Sequence, residues 1–436
     1  MREPLPPGPF DLARFGGADA LEAFEHLRAR HGDLVRLRRG RSELWLVGDP
    51  ALARAVLVGR PHDFGKGAAA GDRRGLNAAL GGGLLTAPSE ERWRSHRRLL
   101  QPAFRRPRIE AMTPALASST ANVVEGWLLR NSADPWVDVM PDVEALVADG
   151  LQRLLFGRPL GRARAAQLRL PLALGVAPVR EVRRARSEVD GVLRDEIERR
   201  TRDPVPAAVE DVLGLLLAAR ARGEIDDAGI LDELATLLLA GIETTASAGA
   251  FALALLARAP RVQAAAADEV DHILQGRPPT AADLERLPRV TAAFDEALRL
   301  LPPIPAAPRR ALRDTLLGEY VVPAGTRLLV SIHLLHRHAR YWRDPAVFRP
   351  ERFAAAPRKP VSGAFLPFGA GAHQCIGREL ARLQGRLLLA MAMQRARFRA
   401  VEGDALGRRL AVGLTPSGGT RLSVLARGRA HSTSLP

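Results

Sequence analysis

Among 436 residues there is one cysteine, Cys375. A single thiol excludes an internal disulfide framework and any zinc or iron–sulfur site built on several cysteines. It suits a reducing compartment, so a cytoplasmic protein is expected. Lysine is almost as scarce. Only Lys66 and Lys359 are present, and arginine supplies nearly all of the 64 basic residues that outweigh 48 acidic ones and set the net charge at +16. A basic chain can bind nucleic acid, but aromatics are only 5% here and the arginines are scattered, without a basic tail or zinc-finger spacing. Nucleic acid is therefore set aside, and an acidic protein is the better partner for that charge. The opening stretch, Met1 to Phe15, has no apolar leader, and charges are expected to interrupt every segment long enough to span a bilayer. Neither export nor a transmembrane anchor is expected.

What is present is the mixture of a soluble globular protein, 47% hydrophobic and 26% charged. A Pro-rich leader occupies residues 1–17, and a helical pattern follows from Ala18 to Arg30. Leu34–Arg38 and Leu44–Val47 alternate apolar and polar residues on either side of Arg39–Ser42, which reads as a hairpin. The Gly- and Ala-rich stretch from Gly65 to Pro88 reads as a long loop. From Glu90 to about Leu300 nearly everything is helical, punctuated by Pro114, Pro135, Pro159, Pro204, Pro260 and Pro288. Short strands follow at Tyr320–Val322, Arg327–Val330 and Arg421–Val424, interrupted by a helix from about Gly377 to Met393. The expectation is a mainly α fold in one domain, residues 18–426. Strands from both chain ends should gather into one small β region, and residues 427–436 should form a disordered tail.

A lone cysteine is by default a small buried hydrophobe. Here it sits in Phe365-Leu-Pro-Phe-Gly-Ala-Gly-Ala-His-Gln-Cys-Ile-Gly377, directly before an amphipathic helix. Gly369 and Gly371 allow sharp turns and close approach to a flat object. The free N–H groups and dipole of the following helix favour a thiolate at Cys375. A thiolate held there is a metal ligand or a nucleophile; for the second, His373 is the nearest base, with no third residue evident to orient it.

The segment Phe368 to Gly377 resembles the haem-binding loop of the cytochrome P450 family, in the variant with His two residues before Cys. The resemblance implies that haem b lies between a long central helix and the helix after Cys375. In it Cys375 is the proximal thiolate on iron, Phe368 packs beside it, Gly369 and Gly377 shape the loop, and His373 faces a haem propionate. Ala240-Gly-Ile-Glu-Thr-Thr245 lies in the long helical pattern from Asp227 to Pro260. By itself it would be ordinary, with Gly for packing and a Thr hydroxyl bonded four residues back. The resemblance makes Gly241 the gap for O₂, and Glu243 with Thr244 the acid–alcohol pair that delivers protons. Trp93 and Arg97, at i and i+4 on one helix face, and Arg309 are carried over as haem contacts. Glu296, Arg299 and Arg352 correspond to a buried structural Glu–Arg–Arg network. His333, His336 and His338 invite a metal reading, but their stretch matches an ordinary family segment, with His338 where Asp is common.

The resemblance runs from about Ala18 to Leu425. The span from Phe156 to Ala240 is short for the two helices that usually cover the substrate cavity. The activity implied by the resemblance is that of a haem-thiolate monooxygenase, which activates O₂ and hydroxylates or epoxidises a hydrophobic small molecule: a terpenoid, fatty-acyl or polyketide-like compound. The cavity walls by family position are Gly67–Ala87, Leu237–Ala240, Ile304–Ala307 and Pro416–Gly419, mostly apolar. Electrons would come ultimately from NAD(P)H through a separate ferredoxin or flavodoxin and its reductase. Arg378, Arg382 and Arg386 form a basic stripe suited to such an acidic partner. A monomer is expected. The alternatives are a peroxide-using or desaturating enzyme of the same fold, a non-catalytic haem sensor, or a basic binding protein with a coincidental cysteine motif.

Overall fold

Asp226 caps a helix that runs unbroken from Asp227 to Ala257, its carboxylate accepting the Gly229 amide at 2.8 Å. At 1.5 Å per residue these 31 residues extend roughly 46 Å. The helix is apolar almost all round, the pattern of one enclosed by protein. It packs along Met140–Phe156, Pro288–Leu300 and Arg378–Arg395. This corrects one expectation. The helix is long and apolar enough by composition to cross a membrane, yet 78% of its apolar window is buried inside the protein. Its lack of charge reflects its place in the core.

The computed structural model describes residues 5–11, 19–40, 42–66, 76–131, 134–168, 178–203, 211–354, 361–403 and 406–427. Around the central helix lie Glu90–Leu100, Thr113–Asn131, Val179–Arg202, Val212–Ala221 and Pro260–Leu274. Proline marks several helix starts: Pro141, Pro260 and Pro288 occupy the first turn, where a missing N–H leaves no intrahelical bond unmade. The fold is mainly α with small β sheets.

The hairpin forms as expected, Leu34–Arg39 against Ser42–Val47, with Leu34 opposite Val47 and Leu37 opposite Leu44. It extends into a six-stranded sheet in the order Phe10–Asp11, Leu34–Arg39, Ser42–Val47, Arg327–Val330, Ala307–Ala311, Phe64–Gly65. The strands do not gather into one region, however. The last strand, Arg421–Ala426, pairs instead with Ala396–Ala400 and Val137–Asp138 in a separate three-stranded sheet. Periodicity identifies strands but not partners, and Arg421–Ala426 follows the helix Arg378–Arg395 and its strand Ala396–Ala400 as their local return.

Both chain ends hold more structure than their composition suggests. Leader residues 5–11 lie against the sheet: Phe10 pairs with Leu37, and the Arg36 guanidinium donates to the carbonyls of Pro6 and Gly8 at 2.8 and 2.6 Å. At the other end Arg427 pairs with Asp271 at 2.6 Å. Residues 12–17 of the leader and 428–436 of the tail fall outside the described residues. In the Phe156–Ala240 span the described helices are Arg162–Gln167, Val179–Arg202 and Val212–Ala221. The described residues of the stretch hold one long helix and two short ones before the central helix begins at Asp227, and 169–177 and 204–210 lie outside the described residues.

Candidate active site

The cysteine loop is folded by its glycines and anchored by its backbone. Gly369 and Gly371 sit at φ +68° and +73°, in the left-handed region that residues with a side chain rarely enter. A side chain on Gly371 would overlap the Leu57 carbonyl, whereas nothing lies within 4 Å of the same position on Gly369. The Cys375 amide donates to the Phe368 carbonyl at 2.9 Å, and the Gln374 amide to Gly371 at 3.1 Å. Gly377 is the N-cap residue of the helix Arg378–Arg395.

Cys375 is exposed as a residue, though protein crowds around it. That crowding pushes the thiol up; the amides of Gly377 and Arg378 and the charges of Arg97 and Arg378 pull it down without prevailing. The helix start alone therefore does not bring the thiol below its ordinary value. A bound metal cation would, because a coordinating thiol is deprotonated outright.

A cationic cluster collects beside the loop. Trp93 and Arg97 project from Glu90–Leu100, whose N-cap is Ser89, its hydroxyl accepting the Arg92 amide at 3.1 Å. Arg97 donates to the Gln374 carbonyl at 3.1 Å. The His373 ring lies 4.0 Å from the Trp93 ring, and its Nε2 is 3.2 Å from Glu90. It is turned to these two partners, not held as a base for Cys375. Arg309, in the strand Ala307–Ala311, is buried and donates to the Pro308 carbonyl at 2.8 Å. Lys66 joins the same field. Burial, with Arg309 and Arg97 nearby, lowers it to about 8, and Glu90 and Glu233 oppose that shift. Burial likewise lowers Arg97 and Arg309. His373 is lowered to about 3 by burial and by Lys66, Arg309, Arg97 and Arg94.

The two carboxylates in this field already have partners. Glu90 contacts His373 and Arg94, and Glu233 meets His96 at 2.5 Å. His373 Nδ1 is buried without a hydrogen-bond partner. Surplus cations, an orphaned ring nitrogen and a thiol that needs a metal cation are together what a haem would satisfy, with its two carboxylates and its iron. The residues fit the group.

Sequence reasoning placed Trp93, Arg97, Arg309, His373 and Cys375 together, and they are together. It missed Lys66, Glu90 and the His96–Glu233 pair. The one available signal was rarity, Lys66 being one of two lysines and following Gly65.

On the central helix Ala240, Gly241, Glu243 and Thr244 are half-buried, whereas Leu238, Leu239, Ile242 and Thr245 are buried. The half-open residues include the acid–alcohol pair. The Thr244 hydroxyl donates to the Ala240 carbonyl at 2.6 Å, the bond expected of threonine inside a helix. A Cβ at Gly241 would come 2.9 Å from a Leu151 methyl, so close packing against Met140–Phe156 favours glycine at this position.

Glu296, Arg299 and Arg352 form the expected network. Glu296 and Arg299 are fully buried and pair through two bonds of 2.7 and 2.8 Å, while Arg352 Nε donates to Glu296 at 3.0 Å. Arg299 also donates to the carbonyls of His336 and Pro345. The three histidines of the following segment diverge. His333 Nε2 meets Glu25 at 2.6 Å, His336 lies between Arg299 and Leu366, and His338 Nε2 meets Asp33 at 3.1 Å. Asp33, Asp49 and His338 do bring their ligand atoms within 4.8 Å of one another. The Arg340 amide donates to His338 Nδ1, however, so neutral His338 carries its proton on Nε2 and donates to Asp33. Asp49 is the N-cap of Pro50–Arg54. His338 and Asp33 form a hydrogen-bonded anchor beside this helix start, and His338 donates there as an ionised acid could not.

The basic stripe after Cys375 is largely neutralised. Arg378 contacts Glu379 at 2.8 Å, Arg382 pairs with Asp295 and Arg386 with Glu285, both at 3.1 Å. Nor is the cleft beside the helix Val179–Arg202 part of this site. About 470 Å³ in volume and lined by Arg194, Ile197, Arg220 and Leu231 among others, it shares no residue with the cysteine loop or the cationic cluster.

Residues 10–170 and 174–418 match the family model described as Cytochrome P450. Cyclooctat-9-en-7-ol 5-monooxygenase of Streptomyces melanosporofaciens is 36% identical over 86% of this chain and 84% of its own. Cyclooctatin synthase of the same organism is 33% identical over 95% and 94%. Pentalenene oxygenase of Streptomyces avermitilis is 30% identical over 86% of both chains. Among solved structures, a cytochrome P450 (CYP102L1) superposes with a TM-score of 0.86 at 25% identity, covering 97% of this chain and 100% of that one. The cytochrome P450DA heme domain gives 0.83 at 26%, covering 98% and 97%.

Proposed function

Since the chain belongs to the cytochrome P450 family and is a cytochrome P450 monooxygenase, we propose that it oxidises a terpenoid, with haem b bound through Cys375. The observation that carries the haem assignment is the cationic cluster of Lys66, Arg97 and Arg309 around the unpartnered Nδ1 of His373, beside the cysteine loop. Lys66, Arg97, Arg309 and His373 would hold the haem carboxylates, and Trp93 would back the His373 ring. When bound, the haem supplies the O₂ chemistry that puts one oxygen atom into a C–H bond or an alkene. Glu243 and Thr244 would relay protons: the Thr244 hydroxyl, now donating to the Ala240 carbonyl, turns outward to pass a proton on, and Glu243 replenishes it. Glu296, Arg299 and Arg352 are structural, holding the segment that leads into the loop.

The terpenoid reading is supported by the relatives named for cyclooctat-9-en-7-ol, cyclooctatin and pentalenene. The aliphatic character of the Leu237–Ala240 turn agrees with it. Electrons would come from NAD(P)H by way of a separate ferredoxin or flavodoxin and its reductase, with the protein in the cytoplasm as a monomer. The test is the absorption spectrum of the purified protein reduced under CO, with Cys375→Ala beside it. A strongly red-shifted Soret band lost in the variant is expected. A band typical of imidazole ligation, or no haem after reconstitution, would overturn the assignment. Turnover of cyclic terpene alcohols and hydrocarbons with a surrogate ferredoxin system tests the substrate class; oxidation of fatty acids alone would refute it.

A further inference from the structure

Arg382 is held in a way that a docking residue does not need. It projects from the helix that follows Cys375, and its guanidinium lies 5.5 Å from the centre of the Phe368 ring. Behind it Asp295, from the helix Pro288–Leu300, approaches within 3.1 Å. The side chains of Arg382 and Asp295 are only 28% and 13% exposed. The contact is ionic, for this oxygen of Asp295 has no hydrogen bond of proper geometry. Burial pushes the Asp295 carboxyl up, and the charges of Arg382 and Arg386 offset only part of that rise. Anion, cation and ring thus form a stack joining two helices to the cysteine loop. Its last member is part of that loop, and the Phe368 carbonyl accepts the Cys375 amide at 2.9 Å. A cation over an aromatic face is worth about 0.5–2 kcal/mol, more as water is excluded, so the stack fixes the ring as well as the charge.

We propose that Arg382 is a positioning residue that keeps the Phe368 ring in place and a positive charge beside the haem-thiolate loop, and so raises the reduction potential of the bound haem. The proposal rests on the haem-thiolate reading above. The physical reason is that one-electron reduction adds negative charge to the site, which a fixed cation favours and a fixed anion opposes. The two partners therefore act with opposite signs. Arg382→Gln shifts the potential negative, by less than a full charge if Asp295 takes up a proton once its counter-ion is gone. Asp295→Asn leaves the guanidinium uncompensated and shifts the potential positive. Arg382→Lys restores the charge without the planar face, and returns most of the shift.

The experiment is a spectroelectrochemical titration of the substrate-free holoprotein with dithionite and mediators, on wild type and the three variants, together with their reduced CO spectra. Opposite shifts for Arg382→Gln and Asp295→Asn, with rescue by Arg382→Lys, are expected while the thiolate spectrum is kept. Equal potentials in all four proteins, or shifts of the same sign for Arg382→Gln and Asp295→Asn, overturn the proposal. A wild type with no thiolate spectrum fails the haem-thiolate reading instead, so the two failures are distinct. The steady-state KM for a surrogate ferredoxin, measured alongside, should change less than twofold in Arg382→Lys. A tenfold rise there with unchanged potentials would make Arg382 a docking residue.

Discussion

His336 accepts the amide hydrogen of Leu366 on its Nε2 at 2.9 Å. Its Nδ1 faces the Arg299 carbonyl at 3.2 Å and donates to it, so the two partners fix the neutral tautomer. The ring lies against Phe365 at 5.1 Å. One buried imidazole therefore joins the Glu296–Arg299 pair to the start of the cysteine loop.

Protonating that ring would aim an N–H at the Leu366 N–H. Burial, helped by the nearby charges of Arg299 and Arg337, lowers His336 to about 3. His333 falls to about 4 for the same first cause. An unfolded histidine titrates near 6.5. Between about 6.5 and these lower values the unfolded chain binds more protons than the folded one, so stability falls as pH drops through that window and is level above it. Urea midpoints at pH 7.5, 6 and 5 should decline steadily. His336→Gln can keep both hydrogen bonds without titrating, and should give a shallower decline; an equal slope would show that His336 does not drive it.

Glu296 accepts from Arg299, Arg352 and the Arg349 amide, with no exposed surface of its own. Replacing it by Gln leaves the guanidinium of Arg299 buried without a counter-charge, which costs about 3–5 kcal/mol. Arg352 is 11% exposed and its loss should cost less. Urea unfolding should rank Glu296→Gln well below Arg352→Gln, and a reversed order would place the strain elsewhere.

Local pattern made the hairpin and the central helix legible, because each is set by residues within a few positions of one another. Cys375 with its glycines was readable for the same reason, whereas the buried Glu296–Arg299 pair was legible only through the family resemblance. What stayed hidden depends on contacts across the chain. The strand Arg421–Ala426 finds Val137–Asp138, Lys66 meets the field of Arg309, and Glu233 reaches His96. The arginine stripe shows the limit best. Spacing along one helix put Arg378, Arg382 and Arg386 on a face, but the acids that neutralise Arg382 and Arg386 come from other segments, at Asp295 and Glu285.

The two glycines of the loop should respond differently to the same change. Gly369→Ala meets only the backbone penalty of a positive φ, about 1–2 kcal/mol, since nothing lies near the new methyl. Gly371→Ala carries that penalty and also overlaps the Leu57 carbonyl, so the loop must shift. Haem content per protein, from the ratio of Soret to protein absorbance, should stay close to wild type in the first variant and fall sharply in the second. Similar retention in both would mean that the loop yields without disturbing Cys375.

Asp232 is the point where three segments meet. One carboxylate oxygen accepts the Gly82 amide at 2.7 Å, and the other meets Arg186 of the helix Val179–Arg202 at 2.8 Å. Arg186 reaches on to the Ala79 carbonyl at 2.8 Å and to Asp190 at 2.7 Å. The chain from Ala79 to Gly83 is therefore clamped between the central helix and a helix of the expected cavity cover. Its fit is tight: a side chain at Gly83 would strike Thr236. Hydrogen bonds to a charged group are worth about 1.5–3 kcal/mol. Asp232→Asn should weaken two of them together, and amide exchange at Gly82 and its neighbours should quicken roughly tenfold to a hundredfold, since each 1.4 kcal/mol of local stability is a factor of ten. Arg186→Gln should quicken the same amides less, because Asp232 still accepts from Gly82. Exchange by mass spectrometry on the holoprotein reads both variants at once. If the 76–83 peptide exchanges at the wild-type rate in Asp232→Asn, packing against Thr236 holds this segment and the ion pair does not.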